Sequence, residues 1–164
     1  MPLANGTFFL YSVRPNDTLY SVADMLDSNV QQMQQLNALF PPITDQGTIY
    51  VNQTLIAPFK GNEMNQVFYV VNPGDTLNRI ATTFSTSVQD LLALNPHISD
   101  PNNIDVNEPI RVPVSIYIVS QGDSLQKISS RFNVRMSHLA RLNQNRPGFS
   151  LDFLIPGYAI IIPD

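Results

Sequence analysis

Three aspartates stand at positions 17, 75 and 123, and 20 residues after each of them comes an asparagine: Asn37, Asn95 and Asn143. A spacing held over so many residues, three times in one chain, is the signature of a structural unit repeated in tandem. The agreement extends outward from each aspartate. A tyrosine lies six residues before it (Tyr11, Tyr69, Tyr117) and a valine four before it (Val13, Val71, Val119), with mixed residues between. That alternation predicts a strand. Offsets of two, five and nine after the aspartate bring Leu19, Val22 and Leu26, then Leu77, Ile80 and Phe84, then Leu125, Ile128 and Phe132. Those offsets form one helical face.

A second helix is predicted from Met33 and Leu36, Leu91 and Leu94, and Leu139 and Leu142, each pair three apart and followed at once by the asparagine. Helix starts need acceptors for free N–H groups, so Asp17, Asp75 and Asp123 are expected as N-caps of the first helix. Asn29-x-x-Gln32 and Ser87-x-x-Asp90 offer caps for the second helix, whereas Arg135-x-x-His138 does not. Each copy closes on apolar alternation before a proline: Ile49-x-Val51 then Leu55-x-Ala57-Pro58, Ile104-x-Val106 then Ile110-x-Val112-Pro113, and Leu154 then Ile160-x-Ile162-Pro163. We read these as the second strand, stopped by a residue that cannot donate to a ladder. Asn52, Asn107 and Gly157, six before that proline, tolerate the left-handed backbone of a tight turn.

The unit is therefore strand, helix, helix, strand, and the fold class expected is α+β: three tandem βααβ modules, each a two-stranded antiparallel sheet covered by two helices. Module boundaries are expected at 9–59, 67–114 and 115–164. Units of this size bury little core and are marginal alone. Residues 59–66 are polar enough to flex, while Val114-Ser-Ile116 is too short to separate its neighbours, so copies two and three are expected closer together.

Composition narrows the function. The 164 residues include 43% hydrophobic and 13% charged side chains with net charge −4, so no broad basic face exists for a phosphate backbone and nucleic-acid binding is not expected. Lys127, Arg131, Arg135, Arg141 and Arg146 make the last third mildly basic, and their helical spacing reads as a solvated face. Cysteine is absent, which removes disulfides, thiolate metal sites and a cysteine nucleophile. The first residues show no signal-peptide pattern and no segment reaches transmembrane length, so no membrane span is expected. Asn5-Gly-Thr, Asn16-Asp-Thr and Asn52-Gln-Thr match the glycosylation triplet, a pattern short enough to arise by chance.

Catalysis finds no constellation. A glycosidase needs two carboxylates facing one bond, and each copy repeats only one. His97 and His138 occupy non-equivalent positions without metal-ligand spacing, so neither a metal nor a cofactor is expected, although His97 could meet a sugar. The repeated tyrosines read as strand packing, and Asn37, Asn95 and Asn143 as helix-end or turn bonds.

With these residues in place, the chain resembles the LysM family. Tyr69-Val-Val-Asn-Pro-Gly-Asp-Thr-Leu-Asn-Arg-Ile80, Leu94-Asn-Pro96 and Ile110-Arg-Val-Pro113 follow its pattern, and Tyr117-Ile-Val-Ser-Gln-Gly-Asp-Ser-Leu125 with Leu142-Asn143 and Ile160-Ile-Ile-Pro163 is similar. Copy one departs, with Asn16 for glycine, Ala38 for proline and three extra residues before its last strand. The resemblance implies non-catalytic modules that bind polymers containing N-acetylglucosamine, chitin or peptidoglycan, in a shallow groove between the loop after strand one and the loop after helix two. Carried onto this sequence, the first loops are Asn16, Asp17, Thr18 and Leu19; Gly74, Asp75, Thr76 and Leu77; Gly122, Asp123, Ser124 and Leu125. The second loops are Ala38, Leu39 and Phe40; Pro96, His97 and Ile98; Gln144, Asn145 and Arg146. Backbone amides and small apolar walls suit an acetamido group, copy two is expected to bind best and copy one least, and repetition supplies avidity. The same resemblance implies an extracellular or wall-associated protein, the spore surface included. Two other readings stay open: a scaffold of a cell wall or spore coat using the modules for protein contacts, and the targeting segment of a larger wall hydrolase.

Overall fold

A computed structural model describes residues 3–45, 47–61 and 64–164. The first repeat forms β1 (Thr7–Ser12), α1 (Leu19–Met25), α2 (Val30–Leu36) and β2 (Thr54–Pro58). The second forms β3 (Gln66–Val70), α3 (Leu77–Thr83), α4 (Val88–Leu94) and β4 (Pro109–Arg111). The third forms β5 (Val114–Ile118), α5 (Leu125–Phe132), α6 (Met136–Asn143) and β6 (Ala159–Pro163). The strand, helix, helix, strand unit thus recurs three times. The residues at offsets two and five are buried in every copy: Leu19 and Val22, Leu77 and Ile80, Leu125 and Ile128.

The constant asparagine has a structural cause. Asn37 donates from Nδ2 to the carbonyls of Met33 (2.7 Å) and Ile56 (2.8 Å) and accepts from the Ile56 N–H (2.8 Å). Asn95 does the same with Leu91 and Arg111, and Asn143 with Leu139 and Ile161. Each asparagine therefore ends the second helix and completes the ladder of the second strand with one side chain. Bonds of this kind in a buried setting hold a helix at one distance from a strand, so its place in sequence cannot drift.

Several expectations are corrected. The first helices are capped by Thr18, Thr76 and Ser124, which accept from Ser21 N (3.0 Å), Arg79 N (3.2 Å) and Lys127 N (3.2 Å), and not by the aspartates before them. Asn29 and Ser87 cap the second helices as expected, and Arg135 makes no side-chain cap. Ile49, Ile104 and Leu154 lie in loops, since the second strands begin only after the turns at Asn52 (φ 72°), Asn107 (φ 72°) and Gly157 (φ 89°).

The sheets depart further. The first two modules do not keep separate two-stranded sheets: β1 pairs antiparallel with β2 and parallel with β3, which pairs antiparallel with β4. The result is one four-stranded sheet in the order β2-β1-β3-β4, with β5 and β6 forming a second sheet. Copies one and two are thus joined by backbone hydrogen bonds, where the short link had suggested copies two and three. Asn62 and Glu63, in the middle of the segment read as flexible, lie outside the described residues.

Both faces of the large sheet are covered. Tyr11, Leu55, Ala57 and Val70 pack with α1 and α2 through Leu19, Val22 and Met33. Phe8, Leu10, Ile56, Val67 and Ile110 point the other way, packing with Leu77, Ile80 and Leu91 of the second module and with Ile116 and Ile161 of the β5–β6 hairpin. Each module's strand pair has its own helices on one side and a neighbouring module on the other, which answers the shortage of core in a unit this small.

Candidate functional site

The loop after each first strand is built alike. Asp17 Oδ2 accepts from the Tyr11 hydroxyl (2.6 Å) and the Arg14 N–H (2.8 Å). Asp75 accepts from Tyr69 (2.6 Å) and Asn72 N (2.8 Å), and Asp123 from Tyr117 (2.6 Å) and Ser120 N (2.9 Å). The carboxylate closes the turn and ties it to the strand that precedes it. Burial first, and then the hydrogen bond to the carboxylate, push the Tyr11, Tyr69 and Tyr117 phenols above the ordinary tyrosine range. Burial of Asp123 raises its pKa, but the bonds from Tyr117, Ser120 and Arg131 outweigh that and hold it below the usual carboxylate value. With their oxygens engaged in this way, the aspartates shape the loop.

Gly74 (φ 86°) and Gly122 (φ 85°) sit at the crest of their loops, where an added Cβ would meet open space. Asn16 takes the same left-handed backbone (φ 68°), so copy one keeps the loop path although its crest carries a side chain. Thr18, Thr76 and Ser124 are exposed, whereas Leu19, Leu77 and Leu125 are buried and can offer only backbone.

The second loops fare unequally. In copy two, Pro96 and His97 are exposed, Ile98 is half-buried, and His97 Nε2 lies 3.3 Å from Glu108 Oε1. In copy one, Ala38 and Leu39 are wholly buried, and Ala38 and Phe40 pack against Leu139, Leu154 and Tyr158 of the third module. In copy three, Gln144 and Asn145 are exposed, and the Asn145 carbonyl accepts from Thr54 N (3.0 Å) of the first module. Arg146 is only 4% exposed. Its guanidinium stacks 4.5 Å from the Tyr158 ring centroid and donates to Ala159 O, to Leu36 O (3.0 Å) and to Asn37 Oδ1 (3.0 Å). Arg146 is therefore no part of a solvated basic face, and burial pushes its guanidinium below the ordinary arginine range.

Clefts form beside the first loops, but their opposite walls come from farther along the second loops than Pro96–Ile98 or Gln144–Arg146. In copy two, Asp75, Thr76, Leu77 and Asn78 face Val88, Pro101, Asn102 and Ile104 across about 290 Å³. In copy three, Gly122, Asp123, Ser124 and Leu125 face Asp152, Phe153, Leu154 and Pro156 across about 280 Å³. The repeated Ile104 and Leu154 were visible in sequence, but their apolar periodicity resembled a strand. Phe153, 62% exposed on one wall, has no repeated counterpart and gave no such signal. Both clefts combine hydroxyl and amide groups with small apolar surfaces, the lining that receives neutral polar ligands. Among the described residues, no cluster of His, Asp or Glu could hold a metal, and no helix is long and apolar enough to cross a membrane.

The chain is 35% identical over 102 residues to an endolysin of Bacillus phage PZA, a match covering 62% of this chain and 37% of that protein. It is 29% identical over 123 residues to the secreted LysM effector ECP6 of Passalora fulva, covering 63% of this chain and 52% of the effector. Among solved structures, the spore cortex-lytic enzyme SleL of Bacillus cereus is 31% identical with a TM-score of 0.43, covering 65% of this chain and 22% of the enzyme. The chain thus spans little more than a third of the length of the phage endolysin it matches. The family model described as LysM domain matches residues 11–58, 69–113 and 117–163, one match on each βααβ unit, and the chain belongs to the LysM domain family.

Proposed function

We propose that this chain is a non-catalytic carbohydrate-binding protein, extracellular or wall-associated, that recognises polymers containing N-acetylglucosamine through its modules, with boundaries at 9–59, 67–114 and 115–164. The observation that carries the reading is the recurrence of one cleft beside Gly74 and Gly122, with hydroxyls, backbone amides and apolar walls. An acetamido sugar needs a donor and acceptor for its amide and an apolar seat for its methyl, and the clefts supply these without a charged partner. The relatives add support: an endolysin and a secreted LysM effector are the names of proteins similar to this chain.

The proposed contact set is Gly74, Thr76, the Leu77 backbone, Asn78, Pro101, Asn102 and Ile104 in copy two. In copy three it is Gly122, Ser124, the Leu125 backbone and Phe153. Calorimetric titration with N-acetylglucosamine oligomers of increasing length tests it, alongside pull-down on insoluble chitin and insoluble peptidoglycan. Binding that strengthens as oligomers fill a cleft, and that loses the sites of copies two and three in Asn78→Trp combined with Asp152→Trp, supports the reading. Absence of binding at every length in the native chain refutes it.

A further inference from the structure

In the four-stranded sheet, β1 and β3 run parallel at the centre, with their antiparallel partners β2 and β4 on the outside. The helices of the first module cover one face and those of the second cover the other. Strand direction is kept while left and right, and front and back, are exchanged. That combination is a pseudo-two-fold axis parallel to the strands. The loops after β1 and β3 leave the sheet at the same end, and the loops entering β2 and β4 arrive there. Arg14 rivets this end, donating from Nε to Asn72 Oδ1 (2.6 Å), from Nη1 to Asn107 Oδ1 (2.7 Å) and from Nη2 to Val71 O (3.0 Å). The second module's cleft and the corresponding loops of the first module therefore sit at one rigid end, on opposite faces.

The second module's cleft is the one beside Asp75 and Asn78; the first module presents the corresponding loop at Asp17 and Tyr20, with the same aspartate-closed turn and left-handed crest. Although Ala38 and Leu39 are buried there, Thr18 is exposed, Tyr20 is 73% exposed and Tyr50, in the later part of the second loop, 61% exposed. A two-fold rotation reverses every direction perpendicular to its axis. A glycan has chemical direction, with reducing and non-reducing ends. One strand drawn across the end of the sheet would enter one cleft in its proper sense and the other backwards.

We infer that modules one and two form a two-headed unit that holds two separate N-acetylglucosamine strands running in opposite directions, and does not grip a single strand twice. The inference rests on the proposed sugar-binding role of the clefts. Its partner is a polymer in which antiparallel strands lie side by side, and the unit would bridge them.

The test uses the full chain carrying Asp152→Trp to close the third module's cleft, titrated calorimetrically with a β-1,4-linked N-acetylglucosamine octamer. The loops concerned follow β1 and β3, neighbouring strands about 4.8 Å apart, close enough for one octamer to reach both if direction allowed. Two octamers bound per chain, falling to one in Asn78→Trp with the remaining affinity unchanged within two-fold, is the expected result. One octamer per chain, with affinity falling about 100-fold or more in Asn78→Trp, would mean one strand bridges both clefts and would overturn the inference. One octamer whose binding vanishes in Asn78→Trp would overturn it too, because the first cleft would then be empty. No binding even without Asp152→Trp would remove the sugar-binding reading itself.

Discussion

Arg146 of the third module donates from Nη2 to Asn37 Oδ1 in the first, 3.0 Å apart in space and 109 residues apart in sequence. Asn37 is the residue that clamps α2 to β2, so this bond couples the internal clamp of one module to the loop of another. Gly148 marks how closely the two loops approach: a Cβ there would lie 2.8 Å from the Ala38 Cβ and 2.9 Å from Ile43 Cγ2. The first and third modules are packed as parts of one body.

Arg146→Met should therefore destabilise the whole chain. The carbonyls of Leu36 and Ala159 would lose their donor, and stranded buried acceptors cost about 1–3 kcal/mol each. No carboxylate partners the guanidinium among the described residues, so removing its desolvation cost offsets part of the loss, and about 2 kcal/mol net is expected. Arg146→Lys should fail to rescue, because an ammonium lacks the planar fork that meets three acceptors and a ring. Urea denaturation followed by circular dichroism measures both, and a Met variant more stable than native would show desolvation to dominate.

Thr76→Ala and Asp75→Ala should separate two roles that adjacent residues play. Losing the cap at Thr76 removes one acceptor from α3, worth about 1 kcal/mol. Losing Asp75 leaves the Tyr69 hydroxyl and the Asn72 N–H without their shared acceptor, for which about 2 kcal/mol is expected. Thermal melts of the two variants should rank in that order. Equal losses would mean that the carboxylate acts as no more than a second cap.

Alkaline pH should unfold the chain through its tyrosines. The folded state holds Tyr11, Tyr69 and Tyr117 above the ordinary value of about 10, so it binds these protons more tightly than the unfolded state does. Their contribution is fully present below that value and is lost as pH rises through the folded one. Asp123 has the opposite sign: its depressed pKa contributes above the usual carboxylate range and is lost on acidification. Phenolate absorbance recorded with circular dichroism should show these tyrosines ionising together with loss of structure. Their titration from about pH 10 in an intact fold would contradict this.

Phe153→Ala should weaken sugar binding in the third module and leave the second unaffected. The ring stands exposed on the wall opposite Ser124, where it offers a flat apolar surface that copy two lacks. With the second cleft closed by Asn78→Trp, affinity for a chitin trimer should fall several-fold in calorimetry. An unchanged affinity would place the sugar away from that wall.

Within a module, the order of strands and helices and their buried faces were legible in sequence. Leu19, Val22 and Met33 fall at helical spacing because two short helices must bury one stripe each, and Asn37 recurs because a helix end and a strand share it. The role of Asp17 was misread because an acidic residue before a helix has the same sequence signature whether it caps the helix or closes the preceding turn. Only its distance to Tyr11 decides between these. The clefts' outer walls, Pro101, Asn102 and Phe153, lie in irregular loops whose paths are set by packing and carry no period to read.

Between modules the order reverses. Leu55-x-Ala57 and Ile160-x-Ile162 read as one-faced alternations, but Ile56 and Ile161 between them bury the opposite face against other modules, and any apolar face can cover another. The parallel pairing of β1 with β3, the hairpin of the third module laid on the first, and the buried Arg146 follow from shape and from single hydrogen bonds. Repetition along the chain determined what each unit is, since its contacts lie at fixed short separations. How the units meet was decided only in three dimensions, where residues more than a hundred positions apart find one another without leaving a pattern behind.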